Sequence, residues 1–198
     1  KGSGMSSSDG GYLAPGFSYF YVDQNLAAIV TAQRRESSIC HVQTVPTGQG
    51  PYDTAGAAGT WLGRKGIENI TQLFIVGHGG PGCVIVGQKL TSKTIVPLGG
   101  WLGSFLDPTC KVRILGCSSA ADSELPYGRF LAGQMSQSED RPGYDLLYGL
   151  ARATNRIVEG ALNGQSNTPL GLKGGCRRVY PDGRQERFLG GGIKDPWD

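Results

Sequence analysis

Short apolar runs recur along this chain and alternate with segments whose apolar residues are spaced three or four positions apart. The continuous runs predict strands, which fall at 17–23, 40–46, 72–77, 84–87, 111–117 and 157–162. The helical spacing predicts helices, which fall at 24–36, 61–69, 92–106, 125–137 and 144–154. The Gly- and Ala-rich segment 47–59 lies between two such elements, and its composition predicts a long loop.

Strands that alternate with helices are typical of βαβ units, so the fold class predicted is α/β, with a mainly parallel sheet flanked by helices. The end of the chain differs, because two alternating segments flank the turn sequence Pro181-Asp182-Gly183. This pattern predicts a C-terminal β-hairpin at about 175–190. We interpret 12–198 as a single domain, preceded by a tag remnant and flexible N-terminus at 1–11.

Composition narrows the functional classes. The formal charge of the 198 residues is only +3, with the basic residues scattered until the C-terminal segment, which argues against a nucleic-acid-binding protein. Apolar runs are strand-sized, which argues against a membrane-spanning helix. The five cysteines are irregularly spaced and there are two histidines, so we expect reduced thiols in a cytoplasmic protein, with neither a disulfide framework nor a metal site.

Two of the predicted buried strands end in residues that can do chemistry. Leu73–Val76 leads into Gly77-His78-Gly79, and Val112–Leu115 leads into Gly116-Cys117-Ser118. The carboxyl ends of parallel strands meet at one edge of a sheet, where ligands of α/β proteins bind. If the two strands are neighbours, the imidazole and the thiol lie at the same edge.

A thiol and an imidazole at one edge suit nucleophilic catalysis on a carbonyl group. A free thiol has a pKa of about 8.5, and a nearby imidazole can take its proton and later protonate a leaving group. The absence of a side chain at Gly79 leaves its N–H open to a developing oxyanion, and the N–H of Cys117 can point to the same place.

The strand-His78-Gly79 ending followed by the strand-Gly116-Cys117 ending resembles the caspase-like (clan CD) cysteine peptidases, nearer the bacterial toxin autoprocessing and CHAT-type branches. The resemblance covers roughly 17–162. It implies a cysteine endopeptidase that forms a thioester, with Cys117 as nucleophile, His78 as general acid/base and the amides of Gly79 and Cys117 as oxyanion hole. Asp23 stands where some relatives carry a third, acidic catalytic residue.

The same resemblance implies a protein or peptide substrate and a bacterial effector or toxin, acting in the cytoplasm or translocated into a target cell. In toxin autoprocessing domains a C-terminal β-flap helps to bind inositol hexakisphosphate. The resemblance therefore permits a similar activator at the basic residues of the predicted hairpin, which are Lys173, Arg177, Arg178, Arg184, Arg187 and Lys194.

Two alternatives stay open at this point. One is a non-catalytic caspase-like module that binds a peptide or partner, and the other uses the same Cys-His pair for acyl transfer or deamidation. An α/β-hydrolase is excluded, because its triad ends in a histidine and no histidine follows His78.

Overall fold

The structure is a computed structural model that describes residues 18–33, 40–48, 51–122, 141–165 and 172–191. Its strands are β1 Ser18–Asp23, β2 Cys40–Val45, β3 Ile70–Val76, β4 His78–Gly80, β5 Cys83–Val86, β6 Gln88–Leu90, β7 Leu106–Leu115, β8 Ile157–Ala161, β9 Lys173–Val179 and β10 Gln185–Gly191. Its helices are α1 Ala27–Gln33, α2 Pro51–Lys65, α3 Ile95–Gly103 and α4 Pro142–Thr154. The predicted helix at 125–137 lies outside the described residues.

A seven-stranded sheet in the order β10-β9-β8-β7-β3-β1-β2 forms the centre of the fold. Five adjacent strands, β8, β7, β3, β1 and β2, run parallel to one another. Strand β9 is antiparallel both to β8 and to β10. The prediction of an α/β fold with a mainly parallel sheet is therefore confirmed. The C-terminal hairpin is also confirmed, since β9 and β10 pair directly across the turn at 180–184.

Alternate side chains of the central strands point to opposite faces of the sheet and pack in different hydrophobic clusters, because both faces are covered. Tyr19 and Tyr21 of β1 pack in a large cluster with residues from α2, α3 and α4. Phe20 and Val22 face the other way and pack with Phe74 and with residues of α1. Helices thus cover both faces of the sheet, and the carboxyl ends of the parallel strands form one edge.

The loop predicted at 47–59 is wrong from residue 51 onwards, where α2 begins. Alanine favours helices, Pro51 is tolerated in the first turn, and burial of Ala58 and Leu62 adds packing that composition alone does not reveal. Gly59 has a packing role, because a Cβ there would lie 2.9 Å from the ring of Trp101 on α3. Tertiary contact therefore outweighs the helix-weakening effect of the glycines.

Glycines also bring α4 against the sheet edge. A Cβ at Gly143, in the first turn of α4, would lie 2.3 Å from the carbonyl carbon of Ala120, so only glycine fits there. Pro142 occupies a first-turn position that proline favours, and Asn155 ends the helix in the left-handed conformation at φ 52°. The start of α4 is thus held against the turn that follows β7.

Candidate thiol site

His78 and Cys117 lie beyond the ends of two adjacent parallel strands. Strands β3 and β7 pair in parallel, with Val76 opposite Leu115 as their last partners. The Gly77 N–H continues the ladder by donating to the Leu115 carbonyl at 3.4 Å. His78 and Cys117 each follow two residues later, so both belong to the same edge of the sheet.

The main chains of the two endings touch. A Cβ built on Gly79 would lie 2.5 Å from the carbonyl oxygen of Cys117 and 2.7 Å from its nitrogen. A Cβ on Gly116 would lie 3.3 Å from the Cα of Gly79. Real side-chain carbons do not approach backbone atoms this closely, so glycine at position 79 lets the His78 segment lie directly on the Cys117 segment.

The Gly79 N–H points away from β5. Gly80 and Cys83 close a two-residue turn, and Gly79 opposes Val84 as the next pair of the antiparallel ladder. Hydrogen-bonded and non-hydrogen-bonded pairs alternate along an antiparallel ladder. Because Gly80 and Cys83 form the hydrogen-bonded pair that closes the turn, the N–H groups of Gly79 and Val84 do not bond to each other's strand. Since β4 is an edge strand of its small sheet, this N–H is oriented outward on the side free of β5.

The sulfur of Cys117 contacts the segment that follows β8. The Gln165 N–H donates to Sγ at 3.2 Å, and the thiol donates to the Gln165 carbonyl oxygen at 3.4 Å. This segment is tied to the same turn, because the Ser118 N–H donates to the Asn163 carbonyl at 2.8 Å. Among the described residues, no hydrogen bond joins the Cys117 thiol to His78.

The residue after Cys117 has a strained backbone. Ser118 has φ 53°, in the left-handed region that residues other than glycine adopt at a cost. The turn is held by two backbone hydrogen bonds, from Ser119 to Gly116 and from Ala121 to Ser118. A sharp turn directly after the strand keeps the half-buried thiol at the edge of the sheet.

Among the described residues, no hydrogen bond joins Asp23 to His78. Its carboxylate is buried and accepts three hydrogen bonds, from the main chain and side chain of Asn25 and from the Gly87 N–H at 3.0 Å. These contacts bind the end of β1 to the turn between β5 and β6. The carboxylate that the family resemblance assigns to catalysis therefore has a structural task in this chain.

Cys117 is the most exposed of the four cysteines whose side chains are described. The other three, Cys83, Cys110 and Cys176, are buried. Burial raises the pKa of both Cys110 and Cys176 to about 12, which keeps their thiols protonated at neutral pH. A reagent that requires an accessible thiol should therefore distinguish Cys117 from these three.

Gln165 is the contact that the sequence did not reveal. It follows β8 by four residues, and nothing in its side chain distinguishes it from a loop glutamine. Its main chain reaches Cys117 because β8 is parallel to β7 and ends at the same edge. A prediction could have included the segment after β8 on this topological ground alone.

Comparisons with known proteins were made by family model, by curated sequence and by solved structure. No family model and no curated protein matches the chain. Among solved structures, one described as the crystal structure of a small-chain dehydrogenase matches with a TM-score of 0.42 and 13% identity, covering 74% of this chain and 77% of that one.

These comparisons give no support to the predicted cysteine endopeptidase: no family model or curated protein matches, and the matched structure is described as a dehydrogenase. We therefore correct the prediction and do not carry peptide-bond hydrolysis forward. At this similarity no dehydrogenase activity is transferred to this chain either.

The residues also do not fit a dinucleotide cofactor. A dinucleotide fold carries a glycine-rich turn between its first strand and a following helix, whose N-terminus holds the pyrophosphate. Here the turn after β1 is Gln24-Asn25-Leu26, without glycine. The glycine-rich turn follows β3 instead and leads into the strand β4 rather than a helix.

None of the helices in the described ranges combines the length and apolar character that crossing a bilayer would need.

Proposed function

We propose that this protein catalyses acyl transfer through a thioester on Cys117, with His78 moving the proton. The acyl donor is a carboxylic acid derivative with a good leaving group, such as an ester or a thioester. The observation that carries the proposal is the direct backbone contact between the His78-Gly79 and Gly116-Cys117 endings at one edge of the sheet.

Register supports a close approach of the two side chains. Equivalent positions on neighbouring strands are about 4.8 Å apart, and His78 and Cys117 are equivalent positions just beyond the last pair of the β3–β7 ladder. The His78 side chain is exposed, so it can turn toward the thiol when a substrate arrives. Catalytic hydrogen bonds are often formed only in the substrate complex.

The chemistry needs three groups. His78 accepts the thiol proton as the sulfur of Cys117 attacks the acyl carbon and the S–C bond forms. The negative charge that develops on the carbonyl oxygen is stabilised by the outward N–H of Gly79 and by the N–H of Cys117, which has no backbone acceptor among the described residues. The bond to the leaving group then breaks, and His78 returns the proton to it. A hydroxyl or amine acceptor next attacks the thioester carbon, its proton passes through His78 to the sulfur, and the S–C bond breaks to release the acyl product and the free thiol.

We also propose that the fold is caspase-like in its finer detail. Support comes from the order of the parallel strands, in which the histidine-bearing and cysteine-bearing strands are adjacent, and from the antiparallel hairpin beside β8. The two endings occur in the chain order that the family resemblance requires.

The test is acylation by an activated ester such as p-nitrophenyl acetate, followed by release of nitrophenolate and by mass spectrometry of the thiols. We expect one acetyl group on Cys117 of the wild-type protein and none in Cys117→Ala. His78→Gln should slow acylation by about 100-fold or more, which is the usual contribution of a general base.

The chain provides matched controls, because it contains one other histidine, His41, and several buried thiols. His41→Gln and Cys83→Ala should leave the acylation rate of Cys117 unchanged. Equal rates for His78→Gln and His41→Gln, or acetyl groups spread evenly over the cysteines, would refute the proposal.

A further inference from the structure

The main chain of Gln165 contacts the Cys117 sulfur with both of its polar groups. The Gln165 N–H donates to Sγ at 3.2 Å, and the thiol donates to the Gln165 carbonyl oxygen at 3.4 Å. These groups belong to the backbone, so their directions are set by the path of the chain after β8 and not by a side-chain rotamer. The sulfur therefore has a hydrogen-bond donor beside it before any substrate binds.

The segment that carries this donor is fixed on two sides. The Ser118 N–H donates to the Asn163 carbonyl at 2.8 Å, which ties the segment to the turn after Cys117. The Leu162 N–H donates to the Gly175 carbonyl at 2.9 Å, which ties it to β9. A donor held in this way needs no reorganisation when charge develops on its acceptor, which is the property that makes backbone N–H groups effective in catalysis.

The two contacts of Gln165 have opposite effects on the sulfur. The carbonyl oxygen accepts from the protonated thiol, whereas the N–H donates best to the ionised sulfur. An S–H group is a weak donor and a neutral sulfur is a weak acceptor, but a hydrogen bond to an ionised group is about twice as strong as a neutral one. The N–H contact therefore outweighs the carbonyl contact once the sulfur carries a negative charge.

We propose that the Gln165 N–H is a catalytic group, which stabilises the negative charge that the Cys117 sulfur gains when it loses its proton. This inference rests on the proposed acyl transfer, because it assigns a further group to the same reacting atom. In the first step His78 takes the proton, and the N–H stabilises the sulfur as it attacks the acyl carbon. In the second step the S–C bond breaks, and the same N–H stabilises the sulfur as it leaves.

Two substitutions at position 165 separate the main chain from the side chain. Gln165→Pro removes the N–H and keeps the carbonyl, since proline has no backbone donor, and Gln165→Ala keeps both main-chain groups as the matched control. Position 165 lies in neither a helix nor a strand. Proline also restricts the residue before it, which here is Gly164, where even an added Cβ would meet nothing within 4 Å.

The measurement is the rate at which iodoacetamide alkylates Cys117 at pH 7, followed by mass spectrometry of the alkylated peptide. A hydrogen bond to an ionised group corresponds to about a 10- to 150-fold change in an equilibrium constant. About half of this effect is offset on a logarithmic scale, because a stabilised sulfur is also a weaker nucleophile. We therefore expect Gln165→Pro to be alkylated about 3- to 12-fold more slowly than the wild type, and Gln165→Ala at the wild-type rate.

The direction of the change distinguishes catalysis from a structural tether. If the N–H only held the segment against the turn, its loss would expose the half-buried sulfur and alkylation would be faster. Alkylation of Gln165→Pro at or above the wild-type rate, or an equal decrease in Gln165→Ala, would overturn the proposal.

A second variant is independent of the effect of proline on folding. The α-hydroxy acid analogue of glutamine at position 165 replaces the N–H by an ester oxygen, while the side chain and the carbonyl remain. This variant should also be alkylated about 3- to 12-fold more slowly than the wild type. An unchanged rate would overturn the proposal even if Gln165→Pro does not fold.

Iodoacetamide needs neither an acyl donor nor His78, so this experiment is separate from the test of acyl transfer. If p-nitrophenyl acetate does not acylate Cys117 but Gln165→Pro slows alkylation, acyl transfer fails and the stabilisation of the sulfur by the N–H stands. If acylation depends on His78 while Gln165→Pro is alkylated at the wild-type rate, only this inference fails.

Discussion

A pair of alanine substitutions at neighbouring glycines tests the contact on which the candidate site depends. Gly79→Ala would place a methyl group 2.5 Å from the Cys117 carbonyl oxygen, so one of the two backbones must move. Gly80→Ala, one residue later in β4, would meet the Cys83 sulfur at 3.7 Å, an ordinary contact. Neither glycine has a positive φ, so the two changes differ mainly in this steric term.

The expected difference follows from two general magnitudes. Forcing extra volume into a packed site costs about 1–3 kcal/mol, which we assign to Gly79→Ala. Replacing a glycine whose conformation alanine can adopt gains about 0.4–1 kcal/mol through the unfolded state, which we assign to Gly80→Ala. The free energies of unfolding of the two variants should therefore differ by about 1.4–4 kcal/mol.

Urea denaturation measures this difference, and the slope of the transition reports whether the unfolded or folded state itself has changed. The rate of alkylation of Cys117 by iodoacetamide should change in Gly79→Ala and stay at the wild-type value in Gly80→Ala. Equal stability and equal alkylation in the two variants would mean that the β4 main chain does not rest on Cys117, and the acyl-transfer proposal would lose its basis.

Three other substitutions test the fold. Burial alone would raise the pKa of Glu159, but its ion pairs with Arg113 and Arg178 lower it. The ionised carboxylate therefore stabilises the folded state fully above the unfolded-state pKa of about 4.3, and this stabilisation is lost as the pH falls through the folded-state pKa. Glu159→Gln should lower the free energy of unfolding by about 1.5–3 kcal/mol at pH 7. Urea titrations at several pH values should then show a weaker loss of stability in acid for this variant than for the wild type. Leu150→Ala in the core contacts of α4 should cost about 2–5 kcal/mol, and a smaller loss in calorimetry would place α4 outside the core. Ser118→Gly should raise the Tm, because glycine adopts φ 53° without strain, and an unchanged or lower Tm would contradict the strained turn.

The sequence predicted the elements that have a strong local signal. The last four residues of β3 are all buried, so this strand reads as a continuous hydrophobic segment. The carboxyl ends of β3 and β7 could be located within one or two residues, whereas β7 begins at Leu106, five residues before the predicted start. Gly-rich segments were harder. Segment 47–59 was interpreted as a loop although α2 begins at residue 51, and β4 went unrecognised because a His-Gly-Gly sequence has no strand pattern.

Part of the candidate site could be predicted from the residues that directly follow two of the predicted strands. His78 and Cys117 could be proposed as neighbours because both follow buried strands. A sequence pattern could not test the catalytic role predicted for Asp23. In the structure its carboxylate accepts a hydrogen bond from the N–H of Gly87, which lies in a turn 64 residues further along the chain. The predicted endopeptidase activity rested on family resemblance rather than on any contact, and it is not carried forward.

The sequence by itself determined the periodicities, and with them the α/β class, the parallel strands and the terminal hairpin, because these depend on neighbouring residues. Tertiary structure decided which groups meet. The Gln165 main chain donates a hydrogen bond to the Cys117 sulfur, Asp122 forms an ion pair with Arg177, and Arg187 lies opposite Arg177 in the hairpin ladder. The first two of these contacts join residues about 50 positions apart, and they depend on strand order and register, which a linear pattern does not specify.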